Sequence, residues 1–239
     1  MIVNELQEEL VKHTDLKYKE GFEKYFKETV TILGVRTPII RQIAKKYFKQ
    51  VKDLPKEELL DLCEELLDQP YNEFSTIAFA WALNIRMKFD IGDFDRFEIW
   101  IKQYVDSWGK CDDFCTHTIH YFVENFPETI PRIKSWAHSD NMWFRRASAV
   151  SFITSKGSWY IGKHTLPDIF EVARILLTDK EDLVQKGYGW MLKSASAFDE
   201  QAVFDFVMEN KAEMPRTALR YAIEYMPKDL KQKAMAKEW

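Results

Sequence analysis

Apolar residues recur at positions i, i+3, i+4 and i+7 along most of the chain, which is the spacing of amphipathic α-helices. Pro38 fits the first turn of one helix, because a proline there gives up no helical hydrogen bond. Ser139-Asp140-Asn141 supplies capping side chains before another helix. The pattern predicts helices over residues 16–30, 38–47, 54–67, 72–89, 94–105, 112–126, 131–137, 142–154, 166–177, 181–196, 200–209, 215–225 and 228–236.

The connections between these helices are short, which favours stacked antiparallel helix pairs in a single domain spanning residues 1–239. Trp108 and Trp143 are 35 residues apart and Trp190 follows 47 residues later, compatible with two-helix repeats of roughly 40 residues. A hydrophobic content of 46% with only 8 glycines and 8 prolines excludes a disordered chain and an all-β fold with many tight turns. The sequence therefore predicts an all-α fold of helical repeats.

Residues 156–164 interrupt the helical pattern with two glycines, two lysines and the adjacent aromatic residues Trp159 and Tyr160. Glycine is unfavourable inside a helix, so this segment is predicted to be a loop or short hairpin insertion. Two interpretations stay open. The segment is either an extended turn with Trp159 packed inward or an aromatic, basic finger that contacts nucleic acid.

The N-terminal residues, the apolar runs and the cysteines lead us to expect a cytoplasmic protein that associates with the bacterial nucleoid in use. The first residues carry acids where a signal peptide needs an apolar run, and no stretch has 18 uninterrupted apolar residues. An odd count of three cysteines favours a reducing compartment. Cys111 and Cys115, with His117 and His120 nearby, could be considered for zinc. His117 would point away from the cysteine face of a helix, so buried thiols are the favoured interpretation and no metal or cofactor is expected.

Charge is unevenly distributed, although the formal net charge of −4 does not by itself indicate a nucleic-acid-binding protein. Residues 53–73 are rich in acids, whereas residues 36–49 contain five basic residues and no acid. Binding depends on where charges lie rather than on their sum, so a polarised surface is one possible outcome of this pattern.

Three segments combine aromatic and charged residues in ways that suit chemistry on a nucleic acid. Trp108 and Asp112 are four residues apart and so share a helical face, where a carboxylate beside an aromatic ring could stabilise positive charge on a sugar. The alternative is that Asp112 or Asp113 caps a helix and that Trp108 lies in the core. Arg145 and Arg146 follow Trp143 and could clamp a phosphate or form internal ion pairs.

The third segment, residues 185–193, places Lys186, Trp190 and Lys193 on one helical face. Gly187 and Gly189 lie inside the same predicted helix and each lowers its stability by about 1 kcal/mol relative to alanine. Such a cost suggests that both glycines allow close packing or the close approach of a partner backbone.

Five short motifs occur in collinear order between about residues 30 and 225. They are Gly34-Val35-Arg36-Thr37-Pro38-x-x-Arg41, Trp108-x-x-x-Asp112, Trp143-x-Arg145-Arg146, Gln185-Lys186-x-x-Gly189-Trp190 and Arg216-x-x-Leu219-Arg220. In this combination the chain resembles the AlkD-like family of DNA alkylation repair proteins, which are built from HEAT-like repeats. The resemblance implies a solenoid, or α-α superhelix, with a concave groove that grips double-stranded DNA. A monomer with no membrane partner is expected.

Active members of that family excise positively charged purines such as 3-methyladenine and 7-methylguanine without flipping the base. The resemblance implies that Asp112 stabilises the sugar and orients water, with Trp108 and Trp190 as aromatic walls. It also implies that Arg146 holds a phosphate and that Lys193 stands where active members tend to have arginine. The further DNA-binding candidates are Thr37, Arg41, Arg145, Lys186, Arg216 and Trp159.

Three functions remain open at the level of the sequence. The first is a DNA glycosylase for N-alkylated purines. The second is a non-catalytic family member that binds branched or unusual DNA, which the insertion at residues 156–164 favours. The third is an α-solenoid scaffold for protein interactions, which the acidic balance of the chain favours.

Overall fold

The computed structural model describes residues 2–25, 30–153 and 166–236, and the regular structure within these ranges is entirely helical. The prediction of an all-α fold is confirmed. The chain divides into two compact units, Met1–Arg96 with Gln103–Phe114, and Phe97–Lys102 with Cys115–Trp239. A single domain over residues 1–239 stays a prediction, and the predicted insertion at residues 156–164 lies outside the described residues.

The first unit is formed by the N-terminal helices. They are α1 (Ile2–Lys12), α2 (Leu16–Tyr25), α3 (Thr37–Val51), α4 (Lys56–Leu67), α5 (Asn72–Asn84), α6 (Asp93–Tyr104) and α7 (Trp108–Phe114), with the middle of α6 belonging to the second unit. Helices α1, α3, α5 and α7 pack side by side in chain order, and α4 packs on α5. The fully buried Trp81 of α5 links this helix to α3, since its indole N–H donates to the Ala44 carbonyl at 2.9 Å.

The second unit begins with a π-helical turn, Cys115–Ile119, that directly follows α7. Its helices are α8 (His120–Asn125), α9 (Ile130–Ser135), α10 (Met142–Val150), α11 (Leu166–Ile175), α12 (Asp182–Ala195), α13 (Glu200–Asn210), α14 (Arg216–Ala222) and α15 (Lys228–Met235). Alternate helices again pack side by side, with α12 between α10 and α14, while α11 and α13 cover α12 from the second layer. Each unit therefore contains the helix-pair packing that the spacing of the tryptophans predicted.

Several helix ends differ from the predictions. The helix predicted over residues 72–89 ends at Asn84, and a 3-10 turn, Arg86–Lys88, follows. The apolar spacing hid this end because Ile85 and Phe89 are buried on both sides of the turn. The predicted cap before α10 is confirmed, since the Trp143 N–H donates to Asn141 Oδ1 at 2.8 Å. Pro38 lies in the first turn of α3, as predicted.

Candidate functional site

Trp108 and Asp112 lie one turn apart on α7, the last helix of the first unit. The helix begins at Trp108, four residues earlier than the sequence pattern indicated, so neither Asp112 nor Asp113 occupies a capping position. The buried Ser107 precedes the helix, and its hydroxyl lies 3.5 Å from the Lys110 N–H. Trp108 and Asp112 are both partly exposed rather than buried in the core. The alternative of a capping acid beside a core tryptophan therefore does not describe this segment.

Two charged pairs surround this part of α7 within the first unit. Lys110 Nζ lies 3.0 Å from an Asp106 carboxylate oxygen, and Arg41 of α3 lies 3.9 Å from Asp113. The Arg41 side chain is 63% exposed, so its guanidinium keeps access to solvent despite this long contact. Arg41 is thus a cation at the surface that another anion could approach.

A buried carboxylate fixes the segment that leads into α3. Glu73 is almost fully buried and accepts N–H groups from Leu33, Gly34 and Val35 at 3.1, 2.8 and 3.0 Å. Gly34 has a φ of 102°, and a Cβ there would lie 2.9 Å from the Lys19 Cβ, so this position requires glycine. The glycine of the first family motif therefore serves the backbone, whereas Thr37 and Arg41 of the same motif are exposed to solvent.

The two arginines that follow Trp143 in the second unit have internal partners. Arg145 Nε donates to Asp179 at 2.6 Å, and its Nη1 donates to the Ser139 and Asp140 carbonyls. Arg146 is 4% exposed and donates to the Leu183 carbonyl. The alternative of an internal ion pair therefore describes Arg145, and phosphate binding by either arginine stays a prediction.

Helix α12 carries the basic and aromatic face that the sequence predicted, with Trp190 partly exposed between two lysines. Lys186 Nζ lies 2.7 Å from Asp182, and this hydrogen bond raises the pKa of Lys186 above its ordinary value. Lys193 Nζ lies 2.8 Å from Glu224. Each lysine of this face therefore has a carboxylate counter-ion in the protein itself.

The two glycines of α12 are explained by close packing. A Cβ at Gly187 would lie 3.4 Å from the Arg146 Cγ, so the arginine side chain passes across this position. A Cβ at Gly189 would lie 2.7 Å from the Tyr221 Cβ and 2.8 Å from the Ala218 carbonyl oxygen. Gly189 thereby allows α14 to approach α12 and places Tyr221 next to the face that carries the lysines.

The remaining candidates have other environments. Arg216 donates to the Met235 carbonyl at 3.1 Å and so helps to satisfy the C-terminal end of α15. Trp159 lies outside the described residues. Cys111 and Cys115 are both fully buried, as the favoured interpretation of the sequence expected. In residues 2–25, 30–153 and 166–236, no group of three or more metal-ligating side chains occurs, and no helix is long and apolar enough to cross a membrane.

Comparison with known proteins agrees with the motifs. The family model described as DNA alkylation repair enzyme matches residues 6–226. The chain belongs to this family. The solved structure of a predicted DNA alkylation repair enzyme from Enterococcus faecalis is similar to it, with a TM-score of 0.80, 20% sequence identity, and coverage of 90% of this chain and 98% of that chain. No curated protein matches the sequence.

At this level of identity the structural likeness establishes the fold of this DNA alkylation repair family member and nothing finer. The resemblance inferred from the five motifs is confirmed, and family membership makes DNA repair the general function and DNA the expected partner. The sequence did not reveal Glu73, Asp179 and Glu224, because their partners are distant along the chain. The only signal for Glu73 was an acid beside the start of a predicted apolar helix.

Proposed function

We propose that this protein is a DNA glycosylase that releases positively charged N-alkylated purines, such as 3-methyladenine and 7-methylguanine, from duplex DNA. The observation that carries the proposal is the position of Asp112, a partly exposed carboxylate one helical turn after the partly exposed Trp108. A carboxylate used only to cap a helix would lie before its first turn, and Asp112 does not. Membership of the DNA alkylation repair family supports the same activity.

The chemistry requires little more than a well-placed negative charge. The bond between C1′ and N9 breaks, and its electron pair goes to the purine, which leaves as a neutral base. Positive charge develops on the sugar, where the Asp112 carboxylate stabilises it and orients a water molecule. The water adds to C1′ and gives up a proton, which leaves an abasic site. Trp108 provides an aromatic surface against the sugar beside the carboxylate.

Basic residues of α3 and basic residues of α12 are each proposed to contact the DNA backbone. Arg41 and Thr37 are exposed on α3, and Lys186 and Lys193 lie with Trp190 on α12. Arg146 contributes positive charge from beneath Gly187, where its side chain is held in place. Contacts of this kind set the affinity for DNA and its dependence on salt, whereas Asp112 sets the rate of base release.

The replacement Asp112→Asn separates these two roles because it removes the charge and keeps the shape of the side chain. We expect the single-turnover rate of 7-methylguanine release to fall at least about 100-fold, the scale of losing one electrostatic stabiliser. DNA affinity should be kept or slightly improved, since a negative charge is removed. The measurements are base release under single-turnover conditions and a binding titration with the same duplex.

The matched control is Asp106→Asn, which removes an equal charge. Asp106 is exposed, lies just before α7 and pairs with Lys110 of that helix. The release rate of this variant should stay close to that of the unchanged protein. Equal rates for the two variants would contradict a catalytic role of Asp112. Tight DNA binding without any base release by the unchanged protein would instead support the function of a non-catalytic DNA-binding family member.

A further inference from the structure

Lys193 has an unusual combination of partners for a lysine on a predicted DNA-binding face. Its Nζ lies 2.8 Å from a Glu224 carboxylate oxygen and 5.6 and 5.0 Å from the ring centroids of Tyr221 and Tyr225. Two aromatic rings and a carboxylate thus hold one ammonium group. The arrangement fixes the position of the lysine before any ligand arrives.

The two members of this ion pair differ in their exposure to solvent. The Lys193 side chain is 12% exposed, whereas the Glu224 side chain is 54% exposed. Glu224 lies beyond the end of α14, while Lys193 is anchored within α12. The lysine is therefore the fixed partner, and the glutamate can leave it by rotating into solvent.

A phosphate oxygen can take the place of the Glu224 carboxylate without a rearrangement of the lysine. Both groups are anionic oxygen acceptors that an ammonium group contacts at similar distances. The tyrosine rings would keep the ammonium group in place during the exchange. Glu224 then occupies, in the free protein, the position that a phosphate of the DNA backbone would occupy in the complex.

We propose that Glu224 is an internal competitor for phosphate at Lys193, which weakens binding to undamaged DNA. This inference rests on the proposed DNA-binding function. The competitor also helps to reconcile a net charge of −4 with a DNA-binding face, because a local acid balances the positive charge of that face until DNA displaces it.

The test is the affinity of purified protein for a short undamaged duplex before and after Glu224→Gln. The replacement keeps the size of the side chain and removes the competing charge. We expect binding about two- to fivefold tighter, the range that the strength of an exposed ion pair allows. The gain should shrink as salt rises from about 50 mM to about 200 mM, because screening weakens the ion pair that the replacement removes.

The matched control is Glu209→Gln, which removes an equal charge from the same unit. Glu209 pairs with Arg174 at 3.6 Å, and Arg174 also lies over the ring of Phe206, so this glutamate too pairs with a cation that contacts an aromatic ring. Arg174 belongs to α11, in the layer that does not carry Lys193. Glu209→Gln should change DNA affinity much less than Glu224→Gln.

A second comparison places Glu224→Gln in a Lys193→Ala background. This background lacks the ammonium group for which the Glu224 carboxylate and a DNA phosphate are proposed to compete. The gain in affinity should then fall to the level of the Glu209→Gln control. An equal gain with and without Lys193, or equal gains for Glu224→Gln and Glu209→Gln, would overturn the proposal while leaving DNA binding intact. If none of the proteins binds the duplex, the proposed function fails as well.

Discussion

The carboxylate of Glu73 shows how one buried side chain determines the position of a segment that carries two DNA-binding candidates. It accepts three consecutive backbone N–H groups ahead of α3, the helix that presents Thr37 and Arg41. Buried polar groups need such partners, because a donor left without an acceptor is costly. The motif that begins at Gly34 was visible in the sequence, but its partner lies about 40 residues later and becomes a neighbour only through folding.

Replacing Glu73 with alanine should therefore destabilise the protein by at least about 2 kcal/mol, because three N–H donors lose their acceptor together. Glu73→Gln keeps one acceptor oxygen and should lose less. The control is Glu65→Ala on the exposed side of α4, which should stay within about 0.5 kcal/mol of the unchanged protein. Urea denaturation measures all three, and similar stabilities for the two alanine variants would show that Glu73 is not an anchor.

Helix α12 is the element on which the second unit depends, since it packs against α10, α11, α13 and α14. Its glycines have different neighbours: Gly187 accommodates an arginine side chain, and Gly189 faces the backbone of α14. A side chain tip can move aside, whereas a helix backbone cannot without disturbing its own packing. Glycine at position 189 lowers the helix propensity of α12, but the close contact between α12 and α14 requires it.

The replacement Gly189→Ala should lower stability by about 1–3 kcal/mol, because its Cβ would overlap the Tyr221 Cβ and the Ala218 carbonyl oxygen. Gly21→Ala is the control, as Gly21 lies within α2 and nothing approaches its Cβ position within 4 Å. That change should stabilise the protein by up to about 1 kcal/mol. Thermal unfolding would reveal shifts of opposite sign, and shifts of the same sign and size would refute the close contact.

The sequence predicted helices wherever the apolar residues recur with helical periodicity. The apolar spacing identified the helices from α2 onward but missed α1, in which only Leu6 and Leu10 are buried. Pro38 and Asn141 marked two helix starts correctly. The apolar spacing missed the end of α5 at Asn84, because the 3-10 turn that follows continues the burial pattern. It also missed the start of α7 at Trp108, where the only capping signal is Ser107, a single residue before the tryptophan. The wrong start of α7 also affected the functional interpretation, because it left open a capping role for Asp112.

At the scale of the molecule, many basic side chains within residues 2–25, 30–153 and 166–236 form ion pairs with acids of the protein itself. The exposed positions of α3 include Arg41, Lys45 and Lys49, while exposed acids predominate on α4. The order of residues showed that the charges segregate along the chain, and it left a polarised surface as one possible outcome. It could not predict the pairing of Lys193 with Glu224 or of Arg145 with Asp179, because these residues lie about 30 or more positions apart.

The most direct test of the central claim is the release of free base from methylated duplex DNA by the unchanged protein. The duplex carries 7-methylguanine or 3-methyladenine, and mass spectrometry of the small-molecule fraction identifies the released purine. The account predicts release well above the spontaneous rate, an abasic site in the remaining strand, and loss of this activity with Asp112→Asn. Release no faster than in the absence of protein, at concentrations that saturate the DNA, would contradict it.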